Sequence, residues 1–177
     1  MFSWLKSRRT EPGDARARAL YDVVRRAVTA GGRDEDDVHI RIVGATAALL
    51  ACVAYADLEV EASEEEVIRV TLGRIQGLDE AGVAAIVAVM RQDVVRIASA
   101  EATTYARELL ELTDETFRRQ LLDVLVDVAA ADDEITVSET NMLRGVARAF
   151  GLPSAAYNES QSRHRDKLAV LKGEPSR

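Results

Sequence analysis

Apolar residues recur at three- and four-residue spacing along most of this chain, and no segment alternates apolar and polar with the period of two that a half-buried strand needs. From Asp14 onward, Leu20, Val24, Ala27 and Val28 share one face of a first helix that runs to about Ala30 and stops at Gly31-Gly32. The charged link from Arg33 to Asp37 offers aspartates suited to capping a second helix, about 36–56. After Val38 that helix is apolar nearly all round, which predicts a central, buried position.

Ser63, with Glu66 three residues on, predicts a capping box for a third helix carrying Val67, Ile68, Leu72 and Ile75, closed by Gly77-Leu78. Asp79 caps a fourth helix with Val83, Ile86, Val87, Met90, Val94 and Ile97 on its apolar face. The weak pattern from Ser99 to Thr104 predicts a break, followed by a short fifth helix near 102–112. A sixth, about 114–131, has Phe117, Leu121, Val124, Leu125 and Val128 on one face and Arg119, Asp123 and Asp127 opposite. Ser138 is the expected cap of a seventh helix with Met142, Leu143, Val146 and Phe150. A last helix starts near Pro153 and frays after Leu171. The expected fold is therefore all-α: a compact bundle of about seven to eight helices.

Part of this pattern is written twice. Leu50, Val53, Ala54, Ala56, Asp57, Glu59, Ser63 and Glu64 recur 75 positions later as Leu125, Val128, Ala129, Ala131, Asp132, Glu134, Ser138 and Glu139. Gly77-Leu78 returns as Gly151-Leu152, one residue short of that register. A repeat longer than one helix predicts two copies of a helix–acidic turn–helix unit.

Carboxylates in a turn between helices invite a calcium-loop reading, which the spacing excludes. Counting from Asp57, the turn glycine would fall on Ala62 and the bidentate glutamate on Ile68; counting from Asp132, they fall on Val137 and Leu143. Neither unit is an EF-hand. Three readings of the acidic turns remain: cation sites, a protein-docking patch, or helix caps that complement the macrodipole and tie down turn amides. For a cation, the candidate ligands are Asp57, Glu59, Glu64, Asp132, Glu134 and Glu139, and an oxygen-only set suits calcium or magnesium.

The doubled pattern Ala-Asp-x-Glu-[Val/Ile]-x-x-x-Glu, each copy followed by a helix and Gly-Leu, resembles the TerB (tellurite resistance protein B) family. It is carried by Ala56-Asp57, Glu59, Val60 and Glu64, then by Ala131-Asp132, Glu134, Ile135 and Glu139. The motif glycine is replaced by Leu58 in one copy and Asp133 in the other. Coverage runs from about Val38 into the basic C-terminal helix. The resemblance implies an all-helical, non-catalytic module in a bacterial stress or envelope-linked pathway, acting through ions or partner proteins near the membrane.

Composition adds constraints. Hydrophobic residues make up 47% and charged ones 30%, which suits a folded globular chain. The net charge of −7 divides into +2 over residues 1–13, +3 over 161–177 and −12 in the body between them. An acidic body argues against nucleic acid as a partner and for cations or basic protein surfaces. Residues 1–13 read as an arm ended by Pro12-Gly13, residues 14–171 as the helical domain, and 172–177 as a disordered tail. In the arm, Phe2, Trp4 and Leu5 beside Lys6, Arg8 and Arg9 suit weak peripheral contact with an anionic inner membrane, against a loose chain end as the alternative.

The longest apolar run, Gly44 to Ala56, is well short of the roughly 20 residues of a spanning helix, and the N-terminus lacks the apolar core of a signal peptide. A single cysteine, Cys52, permits no internal disulfide. The expected location is the cytoplasm. Cys52 sits in an apolar run without a matched histidine, since His39 lies far up the same helix and His164 in a basic stretch. No Ser-His-Asp set, Cys-x-x-Cys pair, HExxH or phosphate loop occurs, so catalysis is not expected.

Overall fold

The computed structural model describes residues 18–30, 37–56, 62–98, 102–131 and 134–167. These hold eight α-helices and no strand: α1 (Arg18–Thr29), α2 (Asp37–Ala54), α3 (Ala62–Gly73), α4 (Glu80–Ala98), α5 (Ala102–Leu112), α6 (Glu115–Ala129), α7 (Val137–Ala149) and α8 (Ser154–Ser162). A 3-10 turn, Arg165–Lys167, follows. The N-terminal arm, the Asp57–Glu61 and Asp132–Asp133 segments, and the tail lie outside the described residues.

The all-round apolar pattern of α2 places it at the centre. Every residue from Val43 to Ala54 is buried, and α1, α3, α4, α5, α6 and α7 all pack on it. By length and composition alone α2 could cross a membrane, at mean hydropathy 1.6, but 72% of it is buried inside the bundle. It is a core helix. Its small residues let neighbours come close: a Cβ on Gly44 would lie 2.8 Å from two ring carbons of Tyr21 on α1.

The same Tyr21 donates its hydroxyl to Glu108 Oε2 at 2.9 Å, and Arg41 Nε meets Glu108 Oε1 at 2.7 Å. This places one carboxylate, 8% exposed, at the junction of α1, α2 and α5. Burial and the neighbouring Glu108 charge push the Tyr21 phenol well above its usual range.

Helix ends follow local chemistry. Asp79 accepts from Gly82 N at 2.7 Å, as its capping role requires, and Asp114 accepts from Phe117 N at 2.8 Å. Gly77 and Gly151 both take positive φ, 95° and 69°, where a side chain would be strained. At Gly151 the chain closes with Gly151 N to Arg148 O and Leu152 N to Ala147 O, which satisfies carbonyls at the end of α7.

Three expectations are corrected. Ser63 lies inside α3, not before it, since the helix already begins at Ala62. Thr136, not Ser138, caps α7, with Glu139 completing the box. The last helix ends at Ser162 and does not run toward Leu171; Arg163 and His164 turn instead toward the acidic face of α6.

Candidate functional site

The second acidic turn begins where α6 ends. Ala130 N bonds to Val126 O and Ala131 N to Val128 O, which tightens the last turn before Asp132. Past the turn, Glu134 is half-buried and Ile135 is buried in the core. Thr136 then starts α7: its hydroxyl accepts from Glu139 N at 3.2 Å and donates to Glu139 Oε2 at 2.8 Å. The same Oε2 accepts from Thr136 N at 2.7 Å. One oxygen of Glu139, a residue only 4% exposed, therefore serves two donors of the cap.

The C-terminal 3-10 turn clasps this segment. Ile135 N donates to Lys167 O at 2.7 Å, and Lys167 Nζ donates to Ala130 O at 2.8 Å. The ammonium thus sits at the negative end of the α6 dipole. Beside it, Arg163 Nη2 pairs with Asp123 and Asp127 at 3.2 and 3.3 Å, and His164 Nε2 lies 2.8 Å from Asp127 Oδ1.

The first turn is built in parallel from α2 and α3. Tyr55 N and Ala56 N bond back to Ala51 O and Val53 O as the chain leaves α2. On the far side, Glu64 is buried in the first turn of α3, where a carboxylate favours the helix dipole. Its neighbour Glu65, 9% exposed, is held by Arg69 at 3.0 Å and by Arg91 from α4. Glu65 is an internal strut, not a surface charge.

The two turns meet. Ser138 Oγ, in the first turn of α7, donates to Ala56 O at 3.2 Å, the last described carbonyl before Asp57. The entry to one acidic segment is thereby tied to the exit from the other. Of the six candidate ligands, Glu64, Glu134 and Glu139 belong to described residues, while Asp57, Glu59 and Asp132 lie outside them. Among the described residues, no group of three or more His, Cys, Asp or Glu side chains is placed to hold a metal.

The cysteine behaves as a small hydrophobe. Cys52 is 1% exposed, its sulfur lies 4.0 Å from Ile97 O, and burial pushes the thiol up to about 12. The His164–Asp127 pair was missed by reasoning from sequence. Its signal was the run of acids on the polar face of α6 (Asp123, Asp127) facing a basic segment of similar spacing, but only the chain reversal after Ser162 brings them together.

The family model described as tellurite resistance protein TerB matches residues 44–162, from the middle of α2 to the end of α8. No curated protein and no solved structure matches the chain.

Proposed function

The chain belongs to the TerB family, and on that premise we propose a non-catalytic binding module of a bacterial stress or envelope-linked pathway, in which the two acidic turns act as one cation-responsive patch. The observation that supports this reading is the hydrogen bond from Ser138 to Ala56, which ties the residue before one acidic segment to the helix that follows the other. Oxygen donors from Asp57, Glu59, Asp132 and Glu134 would suit a hard divalent ion. Glu139, and by sequence register Glu64, anchor the first turns of the helices that follow.

A second reading is favoured by how the described carboxylates are used. Glu139 completes a cap and Glu65 is locked between two arginines, as expected of an adaptor whose acidic turns serve only the fold. Its acidic body would then dock a basic protein partner.

Thermal unfolding separates the two. Under the first reading, calcium or magnesium at millimolar concentration raises Tm; an ion at a hundred times its Kd adds about 2.7 kcal/mol. The Asp57→Asn, Asp132→Asn double variant loses that rise. An unchanged wild-type Tm with both ions sinks the cation reading and leaves the turns as caps.

A further inference from the structure

Away from the acidic turns, α2, the end of α3 and α6 enclose a groove of about 490 Å³. That volume falls in the range of small-molecule sites. Half of its lining residues are apolar: Ile42 and Val43 from α2, Ile75 beyond α3, and Phe117, Leu121 and Val124 from α6. Phe117 and Val124 lie on the apolar face of α6 yet are only partly buried, because the groove separates them from α2.

Among the polar residues of the groove, two carry a buried atom without a partner. Thr46 is 4% exposed and its hydroxyl has no hydrogen-bond partner. His39 Nε2 is likewise buried without a partner. The two residues stand seven apart, two turns of α2, so they share the helix face that lines the groove. Buried polar groups nearly always find partners, and this pair at one cavity wall has none among the described residues.

The charge of the groove runs against that of the molecule. Among the described residues no Asp or Glu lines it, although the chain carries 30 acidic residues. Exposed Arg74 stands at its rim and makes no ion pair among the described residues. We infer that this groove binds a small amphipathic monocarboxylate. Its apolar chain lies along Ile42, Ile75, Phe117 and Leu121. Its carboxylate accepts from Thr46 and from His39, whose side chains rotate to bring their donors to the groove surface, and Arg74 offsets its charge.

Decanoate is a suitable probe, followed by titration calorimetry and by amide shifts in a two-dimensional NMR spectrum of the full chain. Saturable one-to-one binding is expected, with the largest shifts at residues 39–46, 71–76 and 117–124. Thr46→Val keeps the side-chain shape and removes the donor; affinity should fall about tenfold, the usual worth of a hydrogen bond to a charged group. Arg74→Gln, an exposed change that leaves the fold intact, should weaken decanoate and not decan-1-ol. Decyltrimethylammonium, with the same chain and opposite charge, should bind at least about tenfold more weakly than decanoate.

Four results would overturn the inference: no saturable binding at millimolar decanoate, equal affinity for the cationic probe, shifts that map elsewhere, or unchanged affinity in both variants. Binding seen only after deletion of residues 1–13 would also overturn it, since the groove would then be the seat of the chain's own arm.

Discussion

Replacing Glu139 tests whether the second acidic turn is built for the fold or for a ligand. Its Oε2 accepts from the Thr136 amide at 2.7 Å and from the Thr136 hydroxyl at 2.8 Å, in a side chain only 4% exposed. Glu139→Ala removes two charge-assisted hydrogen bonds, leaves the Thr136 amide without its acceptor, and deletes a negative charge from the first turn of α7. Bonds to charged groups contribute about 1.5–3 kcal/mol each but are not additive, and the dipole adds about 0.3–1 kcal/mol. A net loss of about 2–4 kcal/mol follows from these terms together.

Glu139→Gln keeps an oxygen in the same place and should cost roughly 0.5–1.5 kcal/mol, the worth of the charge on bonds that persist. Thr136→Ala removes the reciprocal acceptor of Glu139 N, a cap worth about 1 kcal/mol. Because Thr136 and Glu139 act on each other, Thr136→Ala with Glu139→Ala should cost less than the sum of the single changes, with a coupling above about 0.5 kcal/mol. Urea unfolding at neutral pH measures all four, and the denaturant slope should not change. A Glu139→Ala variant within about 0.5 kcal/mol of wild type would refute the capping role. So would a Gln variant as damaged as the Ala variant, since charge and not geometry would then be what the turn requires.

Two further outcomes follow from buried groups. Glu108→Ala should destabilise the chain by about 3 kcal/mol in urea, the lower end for breaking a buried pair, because Arg41 keeps 24% of its side chain in solvent; a loss below about 1 kcal/mol would contradict the junction drawn at Tyr21, Arg41 and Glu108. For Cys52, labelling by an aromatic disulfide reagent should proceed only at the rate of global unfolding, and a fast native-state reaction would show the thiol is not where burial places it. Its raised pKa means the folded state keeps a proton that the unfolded chain releases. Stability is therefore full below pH 9.0 and declines as pH rises toward about 12, by up to about 1.4 kcal/mol per pH unit.

Helix identity was legible wherever the apolar period was strong. The face of α1 and the all-round burial of α2 follow from residues such as Val24 and Leu49 wanting the same interior. Caps were harder, because several hydroxyls compete at each start and the choice depends on where the chain emerges from the turn. Thr136-x-x-Glu139 is itself a capping-box pattern, and α3 starts at Ala62, 75 positions before the start of α7 at Val137, so Ser63 falls inside it. The end of α8 was not legible at all. Nothing local stops a helix at Ser162; the reversal coincides with ion pairs from Arg163 and His164 to Asp127, and with Lys167 on the end of α6, all of which span nearly forty residues of sequence.

The site residues divide by the same logic. Glu64 and Glu139 could be read as ligands from sequence because a carboxylate in a first helical turn looks alike in either role; only burial and the two bonds of Glu139 separate them. Ser138, expected as a cap, instead ties its helix to Ala56 and so links the units. That bond has a mechanical consequence. A shift at the N-terminus of α7 breaks this bond, at a cost of about 0.5–1.5 kcal/mol, or moves the Ala56 carbonyl just beyond α2, a helix packed on six others.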